Sequence, residues 1–395
     1  MLDRARSLQA ELTEIRRAVH RYPELGFEET RTAALVADRL HRLGLRVATG
    51  IAKTGVIGYL GEGKPVVMLR ADMDALQTQE LNEVPYASER PGLMHACGHD
   101  AHVACLLGAA MLLADNPPPG QVRFLFQPSE EGADAEGKHG ALRVLEEGHA
   151  ADLDAVFGLH SEPKLPVGTV GVREGTLTFA SDSFRGAVLG RASHGARPHE
   201  GVDAILLAAN VVVALNQIVA RRVAPLDSAV LTVGTIHGGT RQNIVADRVE
   251  LTGTLRSAGE ETRQTIFAAV EQAFRVATTL GGSYKLEIEH GCPAVVNDPA
   301  LTALARRAVG EVLGPQNVVL CEPVMASEDF SFLEAHAPGC FLRLGVGTPG
   351  RTPRVIHSPT FDLDEAALPI GAATLAALAR GFLAERAKWQ QQGAL

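Results

Sequence analysis

The segment Met94-His95-Ala96-Cys97-Gly98-His99-Asp100-Ala101-His102 packs a thiol, three imidazoles and a carboxylate into one short stretch. Cys97 and His99, at i and i+2, point to one side only if the backbone is extended or tightly turned. Two donors on one side suit a soft or borderline divalent metal. Gly98 between them opens backbone conformations closed to other residues. A solvated His-rich loop ahead of a helix would look the same, so the reading turns on whether the chain supplies more ligands and a base. Glu130 and Glu131 are adjacent, and successive side chains of extended backbone diverge. One can bind a metal while the other faces a substrate, as a metal-dependent hydrolase requires of its ligand and its general base. Two solvated acids opening a helix are the alternative. His160 ends an apolar run, and His357 follows another in Val355-Ile356-His357-Ser358-Pro359. Each alone reads as a packing or capping residue. Jointly, Cys97, His99, Glu131, His160 and His357 form a mixed sulfur, nitrogen and oxygen set. Such a set suits zinc, manganese or cobalt and is enough for one or two ions.

The elements that must position these residues alternate. Leu8, Leu12, Ile15 and Val19 recur at helical spacing up to Tyr22-Pro23, and 30–43 reads as a second helix stopped by Gly44. Short apolar runs at 56–60, 66–69, 122–126 and 155–159 read as buried strands. Helices are expected at 101–114 and about 138–147. Strand–helix alternation of this kind makes an α/β sheet covered by helices. Functional groups collect beyond the strand carboxyl ends of such a sheet, where this reading places Asp72, Glu130, Glu131 and His160. The pattern changes near Ser181. Strand 184–189, helix 203–222, strands 229–236 and 248–255, helix 260–280 and strand 284–290 follow the β-α-β-β-α-β order of a ferredoxin-like α+β domain. After Pro293 the first pattern resumes. The expected organisation is a first catalytic part over 1–180, an inserted domain over 181–292 and a second catalytic part over 293–395.

Composition removes other classes. At 395 residues the chain exceeds one typical core. Net charge is −9 and no Lys/Arg block occurs, which argues against a nucleic-acid partner. Five scattered cysteines are no disulfide framework and fit a reducing compartment. The first residues lack the apolar core of a signal peptide, and the apolar runs are interrupted, so no membrane span is expected. The expected setting is the cytoplasm.

Several segments carry a resemblance. They are His20 to Gly26, Arg70 to Leu76, Met94 to His102, Gln127 to Gly132, Gly158 to His160, Ser193 to Ala204, Met325 to Phe330 and His357-Ser358-Pro359. In these the chain resembles the metal-dependent amidohydrolases and peptidases of aminoacylase and carboxypeptidase G type, above all their hippurate hydrolase and auxin-conjugate amidohydrolase branch. The resemblance implies a zinc-peptidase-like catalytic domain, with a mixed central sheet covered by helices. It makes the inserted domain a lid and dimerisation domain. It also implies Cys97, His99, Glu131, His160 and His357 as ligands of one or two divalent ions (zinc, manganese, cobalt or nickel), and Glu130 as general base. Asp72 matches a carboxylate that orients a ligand histidine. His194 matches a lid histidine that stabilises the oxyanion across a dimer, and Asn243 and Arg256 match residues that hold the substrate. The wider family often has a metal-binding histidine at Arg70, and an aspartate at Cys97 in its peptidase branches; both differences fit the acyl-amino-acid branch. The implied reaction is hydrolysis of N-acyl-L-amino acids by a homodimer or homotetramer assembled through the lid. The alternatives are a dipeptidase or carboxypeptidase of the same family, or a non-catalytic protein that binds a metal or small ligand. Gln77-Thr78, Ala133 to Gly137 and Ala192-Ser193 depart from the branch near the pocket wall, which bears on substrate identity. His102 matches no family role and reads as a structural residue or one that supports a ligand, and His95 and His199 read the same way.

Overall fold

The computed structural model describes residues 1–391. The chain divides into two compact units: one of Met1–Gly175, Val296–Glu322 and the chain from Asp329 onward, the other of Thr176–Val295 with Pro323–Glu328.

The first unit is built on an eight-stranded mixed sheet. From one edge its strands run Arg46–Ile51, Gly55–Gly61, Gln121–Gln127, Val66–Asp72, Ala155–Pro166, Gly339–Gly347, Val170–Gly171 and Val318–Val319. The four central strands, from Gln121–Gln127 to Gly339–Gly347, are mutually parallel. Val66–Asp72 is buried at every position, as a central strand covered on both faces must be. Helix His99–Ala114 is buried along almost its whole length. It packs against the final helix Leu368–Gln391, against Gln9–Arg21 and against the sheet, so its apolar surface all round follows from burial. Helix Gln9–Arg21 instead turns one stripe inward, Leu12, Ile15 and Val19. The alternation of sequence segments thus becomes an α/β sheet with helices over it. The strand that carries His160 differs from expectation. It does not stop at His160 but runs on to Pro166, because Ala155–Pro166 continues to pair with Gly339–Gly347 past that point.

The second unit holds a four-stranded antiparallel sheet in the order Ala229–Gly238, Arg248–Ser257, Ala180–Leu189, Ser283–Glu289. Helices Ala204–Arg222 and Glu260–Thr279 supply the rest of its core, in which Phe184, Val211, Leu251 and Phe274 are buried. Arg248–Ser257 alternates, with Val249, Leu251 and Leu255 inward, the period of a sheet with one covered face. Pro323–Glu328, assigned from sequence to the second catalytic part, belongs to this unit. Its backbone bonds to the strand leading in, through Val324 N to Leu177 O at 3.0 Å and Phe179 N to Ala326 O at 3.0 Å.

Two helices are long and apolar enough by composition to cross a membrane, Ala204–Arg222 and the stretch Glu365–Ala387. The sequence reading expected none. Packing accounts for one face of the first and for most of the second. Ala204, Leu207, Ala208, Val211, Leu215 and Ile218 form one inward face of the first, and the second is 83 % buried.

Candidate active site

Beyond the carboxyl ends of the parallel strands, loops and one helix start converge. Gly98 adopts φ 91° ahead of helix His99–Ala114, a left-handed conformation that favours glycine. That turn sets His99 into the helix and leaves Cys97 on the incoming loop. His160 sits within Ala155–Pro166. Glu130 and Glu131 follow Gln121–Gln127 by a few residues. His357, itself at φ 62°, is tied to the Cys97 loop by its backbone N–H, which donates to Ala96 O at 2.8 Å.

Cys97 Sγ lies 3.3 Å from His160 Nε2 and 3.3 Å from His357 Nε2. His357 Nε2 lies 3.1 Å from Glu131 Oε1, and His99 Nε2 lies 4.0 Å from that same oxygen. The donor atoms of Cys97, His99 and His160 all fall within 4.8 Å of one another, as do those of Cys97, Glu131 and His357, and those of His99, Glu130 and Glu131. A thiolate sulfur at about 2.3 Å and an imidazole nitrogen at about 2.1 Å from a shared tetrahedral ion stand ~3.6 Å apart, near the 3.3 Å spacings around Cys97. The structure therefore brings together the five residues read from the sequence as ligands, with Glu130 beside them.

Three further observations fit a cation here. His99 Nε2 is buried with no hydrogen-bond partner among the described residues. His99 Nδ1 donates to Asp74 O at 2.9 Å and His160 Nδ1 to Ser161 O at 2.9 Å, which leaves each Nε2 with its lone pair toward the cluster. The donor set mixes thiol, imidazole and carboxylate, which matches borderline divalent ions. Burial pushes the Cys97 thiol up. Burial opposes charge on His99, yet Asp72, Cys97 and Asp74 hold its pKa well above the ordinary value. Hydrogen bonds to Cys97 and Glu131 hold His357 up to about 10. Burial, reinforced by His102 and Arg343, holds His160 well below its ordinary value.

The supporting shell corrects one expectation. Asp72 was expected to orient a ligand histidine, but its Oδ1 is 3.8 Å from His99 Nδ1, beyond a hydrogen bond. Asp74 has that place: its Oδ1 is 3.2 Å from His99 Nδ1, and its Oδ2 accepts from Glu131 N at 2.9 Å. Asp72 instead accepts from His102 Nδ1 at 2.6 Å and from Arg70 Nη1 at 2.7 Å. Burial lowers the pKa of His102. Its Nε2 accepts from Ser161 N at 2.9 Å, so it pins the peptide that also orients His160. Arg70 is spent between Asp72 and Asp329, at 2.7 Å from each. Asp74 and Ser161 escaped the sequence reading. Only Asp74 left a signal, its i+2 spacing from Asp72.

The remaining candidates lie in the second unit. His194 is exposed on the short strand Ser193–His194, which pairs with Ile244–Val245. Asn243 is beside it, with its carbonyl accepting from Gly195 N at 2.8 Å. Arg256 is half-buried on Arg248–Ser257, opposite Ser181 and Val230.

An α/β sheet whose strand ends gather thiol, imidazole and carboxylate donors beside a further glutamate is the arrangement of a metal-dependent hydrolase. The model of peptidase family M20/M25/M40 matches residues 68–381, and the chain belongs to that family. It is similar to the N-acetyl-L-cysteine deacetylase of Bacillus subtilis, 41 % identical over 92 % of this chain and 86 % of that one. It is similar to the IAA-amino acid hydrolase ILR1-like 4 of Arabidopsis thaliana, 40 % identical over 94 % and 85 %, and to thermostable carboxypeptidase 1 of Saccharolobus solfataricus, 36 % identical over 95 % and 96 %. Among solved structures, the Bacillus subtilis YxeP protein, described as a dinuclear metal-binding peptidase, superposes with a TM-score of 0.82. It shares 33 % identity over 96 % of this chain and 99 % of that one. The chain is thus an amidohydrolase-type enzyme that uses divalent metal.

Proposed function

We propose that this enzyme hydrolyses the amide bond of N-acyl-L-amino acids, with Glu130 as general base. The observation that carries the reading is the placement of Glu130 within 4.8 Å of the His99 and Glu131 donor atoms, next to the ligand cluster. Cys97, His99, Glu131, His160 and His357 would hold the ion or ions, with zinc, manganese, cobalt and nickel all suited to the set. A divalent cation held there supplies Lewis acidity, lowering the pKa of water from 15.7 toward roughly 7 and polarising the amide carbonyl. Glu130 accepts a proton from the attacking water and delivers it to the leaving nitrogen. His194 donates to the oxyanion that forms at the carbonyl. Arg256 and Asn243 hold the carboxylate and polar groups of the leaving amino acid. The roles in the second unit rest on motif resemblance and on the exposure of His194 beside Asn243.

The relatives that act on N-acetyl-L-cysteine and on auxin–amino-acid conjugates support the acyl-amino-acid class. A second reading, carboxypeptidase, is favoured by the Saccharolobus relative. The inserted unit is proposed as the lid and as the dimerisation surface of a homodimer or homotetramer. Ile205, Leu206 and Val213 on its first helix and Val230 and Ile236 on its edge strand are exposed, and exposed apolar patches and open sheet edges mark association surfaces. A cytoplasmic setting is supported by five free, buried cysteines. The test is a panel of N-acetyl, N-benzoyl, N-succinyl and indole-acetyl amino acids against dipeptides, assayed on metal-stripped enzyme with zinc, manganese, cobalt or nickel added back. Turnover of acyl amino acids far above dipeptides is expected, only with metal restored. Preference for dipeptides would favour the carboxypeptidase reading.

A further inference from the structure

Glu29 lies outside the donor set, yet a short run of contacts leads from it to Glu130. The stretch Pro128-Ser129-Glu130-Glu131 leaves its strand through a turn in which Ser129 has φ 47°, a conformation serine seldom adopts. Contacts from several directions hold that turn. Gly140 N donates to Ser129 O at 2.9 Å. His139 Nδ1 donates to Glu130 O at 3.0 Å. Asp74 accepts from Glu131 N at 2.9 Å. A Cβ at Gly140 would stand 1.7 Å from Pro128 O, so the turn has no slack on that side. The N–H of Ser129 itself goes to Glu29 Oε1 at 2.8 Å.

Glu29 immediately precedes helix Thr30–Arg42 and is fully buried. Its second oxygen accepts from Thr54 Oγ1. Burial is the largest influence on this carboxyl and raises its pKa to about 7, against the hydrogen bonds from Thr54 and Ser129. Burying such a group is unfavourable unless it is hydrogen-bonded, and both of its oxygens are. One of its two partners is the residue immediately before Glu130.

We propose that Glu29 is a positioning residue for the general base: by holding the Ser129 N–H it fixes the strained turn that sets Glu130 beside the ligand cluster. It touches neither ligand nor substrate. This inference rests on Glu130 being the base.

The experiment compares Glu29→Asp, Glu29→Gln, Thr54→Val and Glu130→Gln in kcat, KM and bound metal, using the N-acyl amino acid that the native enzyme turns over fastest. Glu29→Asp keeps the charge but is one methylene short of Ser129, and its kcat should fall by 10-fold or more, toward the ~10²-fold loss of a 1 Å misplacement. KM and metal content should hold, because Asp74 still anchors Glu131. Glu29→Gln keeps an acceptor oxygen at the right reach and should restore most of the turnover. Thr54→Val removes the other bond to Glu29 and should stay near the native rate. A charge-retaining variant worse than the neutral isostere is not what a purely structural carboxylate would give. Native kcat in Glu29→Asp, equal impairment in Glu29→Gln, or loss of metal in step with activity would overturn the inference. If Glu130→Gln is inactive while Glu29→Asp is fully active, only this inference fails. If Glu130→Gln is fully active, the base assignment fails and this inference with it.

Discussion

Asp74 holds two predicted ligands at once, one oxygen facing the His99 ring and the other accepting the Glu131 N–H. A carboxylate in this position fixes the ring tautomer and raises the basicity of the free nitrogen. Asp74→Asn presents an amide that cannot accept on both sides. Metal affinity in that variant should fall by roughly 10–100-fold, measured by titrating metal into the stripped protein; unchanged affinity would contradict the assignment. The sequence made Cys97 and His99 legible, because two donors at i and i+2 around a glycine can share a direction. It could not separate Asp72 from Asp74. Both stand on one side of an extended chain, and nothing local distinguishes them. The fold does so. Asp72 is still inside the sheet, opposite Gln127, where Arg70 and His102 claim it. Asp74 lies past the strand end, where it meets the start of the His99 helix.

Between elements, a second buried network ties helix Gln9–Arg21 to the start of helix His99–Ala114. Asp100 Oδ2 accepts from Arg16 Nε at 2.8 Å and from His20 Nδ1 at 2.8 Å, and His20 Nε2 meets Glu80 Oε1 at 3.2 Å. Burial works against charge on His20, but Asp100 and then Glu80 raise its pKa to about 9. Its unfolded value is about 6.5, so the folded state binds the proton more tightly. Its contribution to stability is complete below about pH 6.5 and is lost as pH rises through about 9. The difference in thermal midpoint between native protein and His20→Gln should therefore narrow from pH 6.5 to 9.5. A gap that stays constant would contradict the charged pair. Helix limits were readable here because apolar stripes, Pro23 and Gly44 mark them. The length of strand Ala155–Pro166 was not. The apolar run stops at His160, and only pairing with Gly339–Gly347 shows that the strand carries on.

At the scale of the whole molecule, the chain leaves one sheet, builds a second and returns. The switch in pattern near Ser181 was legible because strand and helix periods change order there. The return of Pro323–Glu328 to the second unit was not, since six residues carry no period and their place is set by backbone bonds to Leu177 and Phe179. Five ligand candidates drawn from four separated segments meet around Cys97, and the proposed base, Glu130, lies beside His99 and Glu131. The most direct test is therefore Glu130→Gln, assayed for bound metal and for turnover of an N-acyl amino acid in the same preparation. Metal content should match the native enzyme while kcat drops by about 10²–10⁴-fold, the usual weight of a general base. Native turnover with metal retained would contradict the account.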